Sequence, residues 1–209
     1  MLFPPKCTLC RKLLTKEETD FCEHCQVHSP LILNTKRRIP HIAQWTAVWY
    51  YKDDVRKSIQ RFKFSNARSY ADVYARCIAT KIFDGAFGIT FDCITWAPTS
   101  LLRRLKRGYD QSELLAKALS KQLGIPAVRL LKKVRHTSAQ SGMRDAASRR
   151  ANVVNAYCVV AADEVAGRRI LLVDDVLTTG ATASECAKML ATAGAKEVLL
   201  ATVAVTQKD

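Results

Sequence analysis

The sequence predicts an α/β protein built on a mostly parallel sheet flanked by helices, with a small cysteine-bearing unit ahead of it. Three observations lead there. Ile170–Val173 is an unbroken apolar run that ends in Asp174-Asp175, enters the loop Thr178-Thr179-Gly180-Ala181-Thr182 and gives way to a helical stretch at Ala183–Ala193. Such a run suits a strand buried on both faces. Strand-like and helix-like segments alternate from Trp45 onward, the succession of βαβ units. Cys7, Cys10, Cys22 and Cys25 form Cys-x2-Cys-x11-Cys-x2-Cys, a spacing at which two tight turns grip one tetrahedral Zn2+.

The chain has 209 residues, enough for one α/β domain of about 150–200 residues plus a small appendage. With 48% hydrophobic and 25% charged residues it has the make-up of a soluble globular chain, and no apolar run approaches the ~20 residues that a membrane span needs. Met1–Arg11 contains two prolines and no apolar segment of the signal-peptide kind, so cytoplasmic residence is expected. The net charge of +14 is concentrated: residues 101–150 hold thirteen Lys/Arg against Asp110, Glu113 and Asp145, leaving +10 in one quarter of the chain. That excess suits a polyanion, either a nucleic-acid backbone or a pyrophosphate-bearing substrate.

Taken in order, the four-cysteine unit is too small to bury a core, so metal binding would supply its folding energy. His24 and His28 are read as bystanders beside four well-spaced thiols, and Arg11–Phe21 carries both charge signs with no basic stripe. The unit is expected to be structural or a docking surface. The expected boundaries are 1–30 for the zinc-binding unit, 31–44 for a linker and 45–209 for the sheet domain.

Trp45–Tyr51 reads as a strand. Asp53 or Asp54 is expected to cap a helix with Val55, Ile59 and Phe62 on its apolar face, and Lys63 stands near its end. A second helix is expected over Ala67–Phe83, then a short strand at Phe91–Ala97 with Ala97-Pro98-Thr99 at its end. If the strands are parallel, that loop shares an edge with Asp174 and Asp175, the place for a pyrophosphate loop. Asp110 and Glu113 have capping-box spacing, which starts a helix through about Gln122 and puts Arg107, Gly108 and Tyr109 in the preceding loop. Leu123–Arg150 is polar and basic apart from Val128–Leu131 and lacks an apolar face for stable burial. Ala156–Val160, Arg169–Val173 and Lys196–Val205 complete the strands. Gly194 is an expected helix C-cap, and Cys77, Cys93 and Cys186 are expected core residues.

The chemistry centres on Ile170–Thr182. Ligands of open α/β sheets bind beyond the carboxyl ends of the strands, where Asp174 and Asp175 can accept hydrogen bonds from a ribose diol. Loop 178–182 offers hydroxyls and backbone N–H groups at a helix N-terminus, where the peptide dipoles favour a phosphate, and Gly180 allows a close-approach backbone.

These thirteen residues resemble, at every position, the phosphoribosyl-pyrophosphate (PRPP) signature of type I phosphoribosyltransferases. Purine-salvage members carry a third carboxylate where this chain has Thr178, which speaks against purine salvage by that route. Pro98 followed by Arg107-Gly-Tyr-Asp-Gln-Ser-Glu-Leu-Leu-Ala116 narrows the resemblance to the ComF family of competence-associated phosphoribosyltransferase-like proteins. So do the Cys-x2-Cys pair, Phe62-Lys63-Phe64, Thr137-x2-Gln140 and Arg149-x2-Asn152. Tyr109, Asp110, Ser65-Asn66 and one extra residue between Gln140 and Asn152 depart from the usual form.

The resemblance implies a type I phosphoribosyltransferase-like fold and a PRPP site made of Asp174, Asp175, Thr178, Thr179, Gly180, Ala181, Thr182, Thr99 and Arg107. Mg2+ would accompany the pyrophosphate. Asp174 and Asp175 are the expected catalytic pair, steadying positive charge at the ribose as pyrophosphate leaves for an unidentified acceptor. A cytoplasmic role in natural transformation is implied, with single-stranded DNA and competence helicase or DNA-processing proteins as partners. Arg103, Arg104, Lys106, Lys132, Lys133, Arg135, Arg149 and Arg150 are candidates for a nucleic-acid backbone, and Tyr109 or Trp96 for stacking a base. The rival reading is a non-catalytic competence module that uses PRPP as a regulatory ligand or not at all.

Overall fold

The computed structural model describes residues 4–32, 37–135 and 153–207. Its strands are β1 (Gln44–Tyr50), β2 (Cys93–Trp96), β3 (Leu131–Lys133), β4 (Tyr157–Val159), β5 (Arg169–Leu177) and β6 (Glu197–Val205). Its helices are α1 (Glu23–His28), α2 (Asp53–Phe64), α3 (Tyr70–Phe83), α4 (Leu101–Arg107), α5 (Gln111–Leu123) and α6 (Ala181–Thr192). None is long and apolar enough to cross a membrane.

Strands β1, β6, β5 and β2 lie side by side in that order, and every pair is parallel. Trp96 stands opposite Val173 and Asp174 opposite Thr202, so the carboxyl ends of β2, β5 and β6 share one edge. Along β5, Leu171 and Val173 join a core with α2, α3 and α5, while Ile170 and Leu172 join a second core with α6. Leu199 and Ala201 of β6 divide from Val198 and Leu200 in the same way. A strand covered on both faces has no solvent side, which is why these two read as continuous apolar runs.

Helix α2 buries Val55, Ser58, Ile59 and Phe62, the expected stripe with one hydroxyl added. Neither expected aspartate caps it. Lys52 is the N-cap residue and makes no side-chain bond; Asp53 takes a positive φ of 49°, and Asp54 pairs with Lys57 at 3.0 Å. Their charges still sit at the positive end of the helix dipole. Helix α5 is capped as expected: Asp110 accepts from the N–H groups of Ser112 and Glu113. Its other oxygen accepts from the Thr99 N–H at 2.7 Å, tying the turn after β2 to the start of α5. Asp110→Ala should cost about 1–2 kcal/mol and release that turn. The checks are a lower urea midpoint and faster amide exchange at Thr99; unchanged exchange there would refute the tie.

Two stretches differ from expectation. Residues 101–107 form α4, so Arg107 ends a helix and only Gly108 (φ 78°) and Tyr109 turn toward α5. Nothing in α4 is buried, so it has no apolar pattern set by burial; it forms from the propensity of its Leu, Arg and Lys residues. The Val128–Leu131 run proves to be the burial face thought missing from 123–150. The Val128 N–H bonds the Ile94 carbonyl at 2.8 Å, Leu130 and Leu131 are fully buried, and β3 pairs antiparallel with β4. The strand expected at 156–160 therefore lies in this two-stranded ribbon and not in the main sheet.

The four-cysteine unit is packed into the α2/α3 side of the molecule. Cys7, Leu9, Cys22 and Cys25 share the core of Phe62 and Tyr74. The Thr8 carbonyl accepts from Ser58 Oγ at 2.6 Å and from Arg61 Nη2 at 3.0 Å, and Asp20 pairs with Arg76 at 2.6 Å. Along residues 31–44, Ile32 and Ile39 are buried in the second core, and the Ile32 N–H reaches the Val48 carbonyl of β1 at 3.1 Å.

Candidate functional site

A cleft of about 860 Å3 opens at the shared carboxyl edge of the sheet. Asp174 and Asp175 enter it from β5, Thr178 and Gly180 from the loop into α6, Thr182 from the first turn of α6, Thr99 from the turn after β2 and Arg107 from the end of α4. Thr179 and Ala181 do not line it; Thr179 Oγ1 instead accepts from the Ala181 N–H at 3.3 Å and shapes the loop from within. Gly180 has φ 82°, and a Cβ there would stand 3.3 Å from Arg37 Nη2 and 3.4 Å from Ile39 Cγ2. The left-handed backbone makes any side chain there strained, and the close packing behind the loop leaves a Cβ little room.

The carboxylates are held differently. Asp174 Oδ1 accepts from Ser112 Oγ at 3.0 Å and from the Asp175 N–H at 2.8 Å. Asp175 pairs with Lys63 Nζ at 2.9 Å, both side chains being mostly buried. Loss of water around Asp174, and then the negative charge of Asp175, push its pKa from 3.8 up to about 7; the Asp175 N–H, Lys63 and Ser112 pull it back. Asp174 thus holds a proton more readily than an exposed carboxyl does, and a cation can exchange for it. Lys63, which the sequence placed only near the end of α2, lines the cleft.

Basic residues divide into two groups. Arg103, Lys106 and Lys133 line the cleft, whereas Arg104, Lys132 and Arg135 are exposed outside its lining. Lys133 Nζ lies 3.2 Å from the Tyr157 hydroxyl, and burial followed by repulsion from Arg103 lowers its pKa to about 8. Its approach to the cleft depends on the β3/β4 ribbon, which is why sequence reasoning grouped it with surface cations. Tyr157, Arg56 and Gln60 are further lining residues that the sequence did not single out, and Phe64, Gln111 and Ser112, quoted there only as parts of motifs, line it too. Phe64 ends the helix expected around Val55–Phe62, so its proximity to Lys63 was the available signal. Arg149 and Arg150, with Thr137, Gln140 and Asn152, lie outside the described residues. Trp96 and Tyr109 are corrected as stacking residues: they are 5% and 6% exposed, and the Tyr109 hydroxyl donates to the Phe62 carbonyl. Both belong to the core that α2, α3 and α5 share.

The second candidate site is the cysteine cluster. The four Sγ atoms lie within 4.8 Å of one another, and Cys10 and Cys22 are 3.6 Å apart. Thiolates about 2.3 Å from one tetrahedral ion stand about 3.8 Å from each other, so the donor set fits a single metal ion. His24 and His28 stack on each other at 4.5 Å and take no part in the cluster.

A parallel sheet with two carboxylates and a Thr/Gly loop at its carboxyl edge is the framework of a type I phosphoribosyltransferase, and residues 110–209 match the phosphoribosyl transferase domain family. Over 201 residues the chain is 32% identical to Competence protein F of Haemophilus influenzae, covering 92% of this chain and 86% of that protein. It is 28% identical over 200 residues to the DNA utilization protein YhgH of Escherichia coli K12, with the same coverages of 92% and 86%. The chain belongs to the competence protein F, or ComF, family. Among solved structures, glutamine PRPP amidotransferase of B. subtilis is 24% identical, with 65% of this chain and 26% of that one aligned at a TM-score of 0.43, too loose a likeness to bear on activity.

Proposed function

We propose that this protein binds PRPP in the β5/α6 cleft and acts in the uptake and handling of incoming DNA, in keeping with the names of its Haemophilus and Escherichia relatives. One observation carries the first half: Asp174-Asp175 and loop 178–182 open into the same cleft from opposite ends of one strand–loop–helix turn. The loop N–H groups and hydroxyls receive the 5-phosphate, and Asp174 and Asp175 receive the ribose diol. Thr99, Arg107, Arg103 and Lys133 face the pyrophosphate. Mg2+ bound with that pyrophosphate would neutralise its charge, and the Asp174/Asp175 pair is the donor set in reach of it. As pyrophosphate leaves, the same carboxylates stabilise positive charge at the ribose carbon and an acceptor nucleophile attacks.

The test is a calorimetric titration of Mg-PRPP into the full chain and into the Asp174→Asn/Asp175→Asn double variant. Saturable heat from the first, lost by at least about 100-fold in affinity in the second, is the expected result. Equal affinity in both sinks this reading of the pair.

We assign Zn2+ to the four thiols, with a cytoplasmic, reducing compartment that keeps them free. A second reading has its own observation. Arg104, Lys132 and Arg135 present cations outside the cleft, beside those within it, a layout suited to a single-stranded nucleic-acid backbone. Binding of oligo(dT) should then weaken steeply with salt, the logarithm of affinity falling about 0.7 per phosphate neutralised. A flat salt dependence would leave only the PRPP reading.

A further inference from the structure

The antiparallel ribbon sets Lys133 of β3 directly opposite Tyr157 of β4, and the Lys133 Nζ lies 3.2 Å from the Tyr157 hydroxyl. That hydroxyl also shares a hydrogen bond with the side chain of Thr182. One phenol oxygen therefore separates the amine from the loop assigned to phosphate, and Lys133, Tyr157 and Thr182 all line the same cleft. Among the described residues no carboxylate forms an ion pair with Lys133. Charged and titratable groups act on it from four further elements: Arg103 of α4, Asp110 at the cap of α5, Asp174 of β5 and Cys186 of α6. Burial comes first, and with Arg103 it outweighs the acids, which brings the pKa from 10.5 down to about 8. At pH 7.5 such an amine is neutral in about one molecule in four, and an unperturbed one in about one in a thousand.

We infer that Lys133 is an acylation site for acyl phosphates, with the donor's phosphate held on loop 178–182 and the Lys133 amine attacking its carbonyl carbon. The inference rests on the phosphate reading of that loop and needs neither a ribose nor a base in the cleft. The carbonyl carbon of an acyl phosphate is one bridging oxygen from phosphorus, so a donor seated beside Thr182 carries it toward the amine past the Tyr157 hydroxyl. The neutral amine forms the new C–N bond, the bond from the carbonyl carbon to the phosphate oxygen breaks, and the amine proton leaves with the phosphate as hydrogen phosphate. Holding the donor in this way makes the encounter intramolecular, the source of a local rate advantage over exposed lysines. The amide that results has lost the charge of the lysine, so acylation takes one cation from the wall that faces pyrophosphate.

The probe is acetyl phosphate, incubated with the full chain at pH 7.5, with the acetyl groups located by peptide mass spectrometry. Lys132 is the internal reference, because it is exposed and strand alternation turns it to the other face of the ribbon. Lys133 should be acetylated about 10-fold or more faster than Lys132, since the lower basicity of a desolvated amine gives back only part of its gain in neutral fraction. Excess inorganic phosphate at matched ionic strength should suppress the reaction at Lys133 and leave Lys132 unchanged. Equal rates at the two lysines, or a preference for Lys133 that inorganic phosphate leaves intact, overturns the proposal. PRPP binding to the unmodified chain is titrated separately. Its absence beside phosphate-sensitive acetylation of Lys133 would fail the PRPP reading and leave the acylation site standing.

Discussion

Asp174→Asn is expected to stabilise the folded protein above neutral pH while it removes ligand binding. Asp174 has its pKa raised to about 7 by desolvation and by the charge of Asp175, against 3.8 without the fold. Between those two values the native state keeps a proton that the unfolded chain has released, so stability falls as pH rises from about 4 to 7 and stays reduced above. Three units correspond to about 4 kcal/mol, and because the carboxyl keeps some solvent access, about 2–3 kcal/mol is the expected share. An asparagine keeps the shape and the acceptor oxygen for Ser112 and for the Asp175 N–H. Its urea midpoint should therefore exceed that of the wild type at pH 8 and converge with it near pH 4. The same proton opposes cations, so affinity for Mg-PRPP should rise as pH increases through about 7, with proton release on binding. A variant no more stable than the parent at pH 8 would show that the native site meets the cost of that charge by itself.

Removing the metal should be the largest perturbation of stability. Structural zinc in small four-ligand units contributes about 10–16 kcal/mol of apparent binding energy, comparable with the 5–15 kcal/mol net stability of a whole domain. Here the loss would not stop at the N-terminus. Cys7, Leu9, Cys22 and Cys25 share a core with Phe62 and Tyr74, and the carbonyl of Thr8, between the first two cysteines, accepts from Ser58 and Arg61 of α2. A strong chelator under reducing conditions should lower Tm by about 10 °C or more and release one metal ion per chain as four thiols become reactive, and Cys7→Ser/Cys10→Ser should lower Tm similarly with no metal retained. A melting curve that chelation leaves unmoved would contradict a structural metal.

The parts legible in the sequence are those where burial imposes a period or a motif imposes a loop. Strands β5 and β6 are apolar on both faces, Val55, Ile59 and Phe62 repeat at helical spacing, and Asp110 announces its cap through its spacing from Glu113. What escaped depends on distant partners. The second oxygen of Asp110 reaches Thr99 across an intervening helix, and Lys63 is a site residue only because β5 delivers Asp175 to it. Helix α4 buries nothing and so carries no apolar signal, while β3 and β4 are three residues each, too short for alternation to show. Aromatic residues mislead for a related reason. Trp96 and Tyr109 belong to the core and Phe64 to the cleft, a distinction set by packing and invisible to composition.

The most direct measurement is a phosphorus NMR titration of PRPP with Mg2+ and the full chain. The 5-phosphate resonance should shift or broaden together with the two pyrophosphate resonances, because loop 178–182 and the Thr99/Arg107 side of the cleft engage the molecule at once. Resonances that remain at their free positions at protein concentrations in excess of the ligand would contradict it.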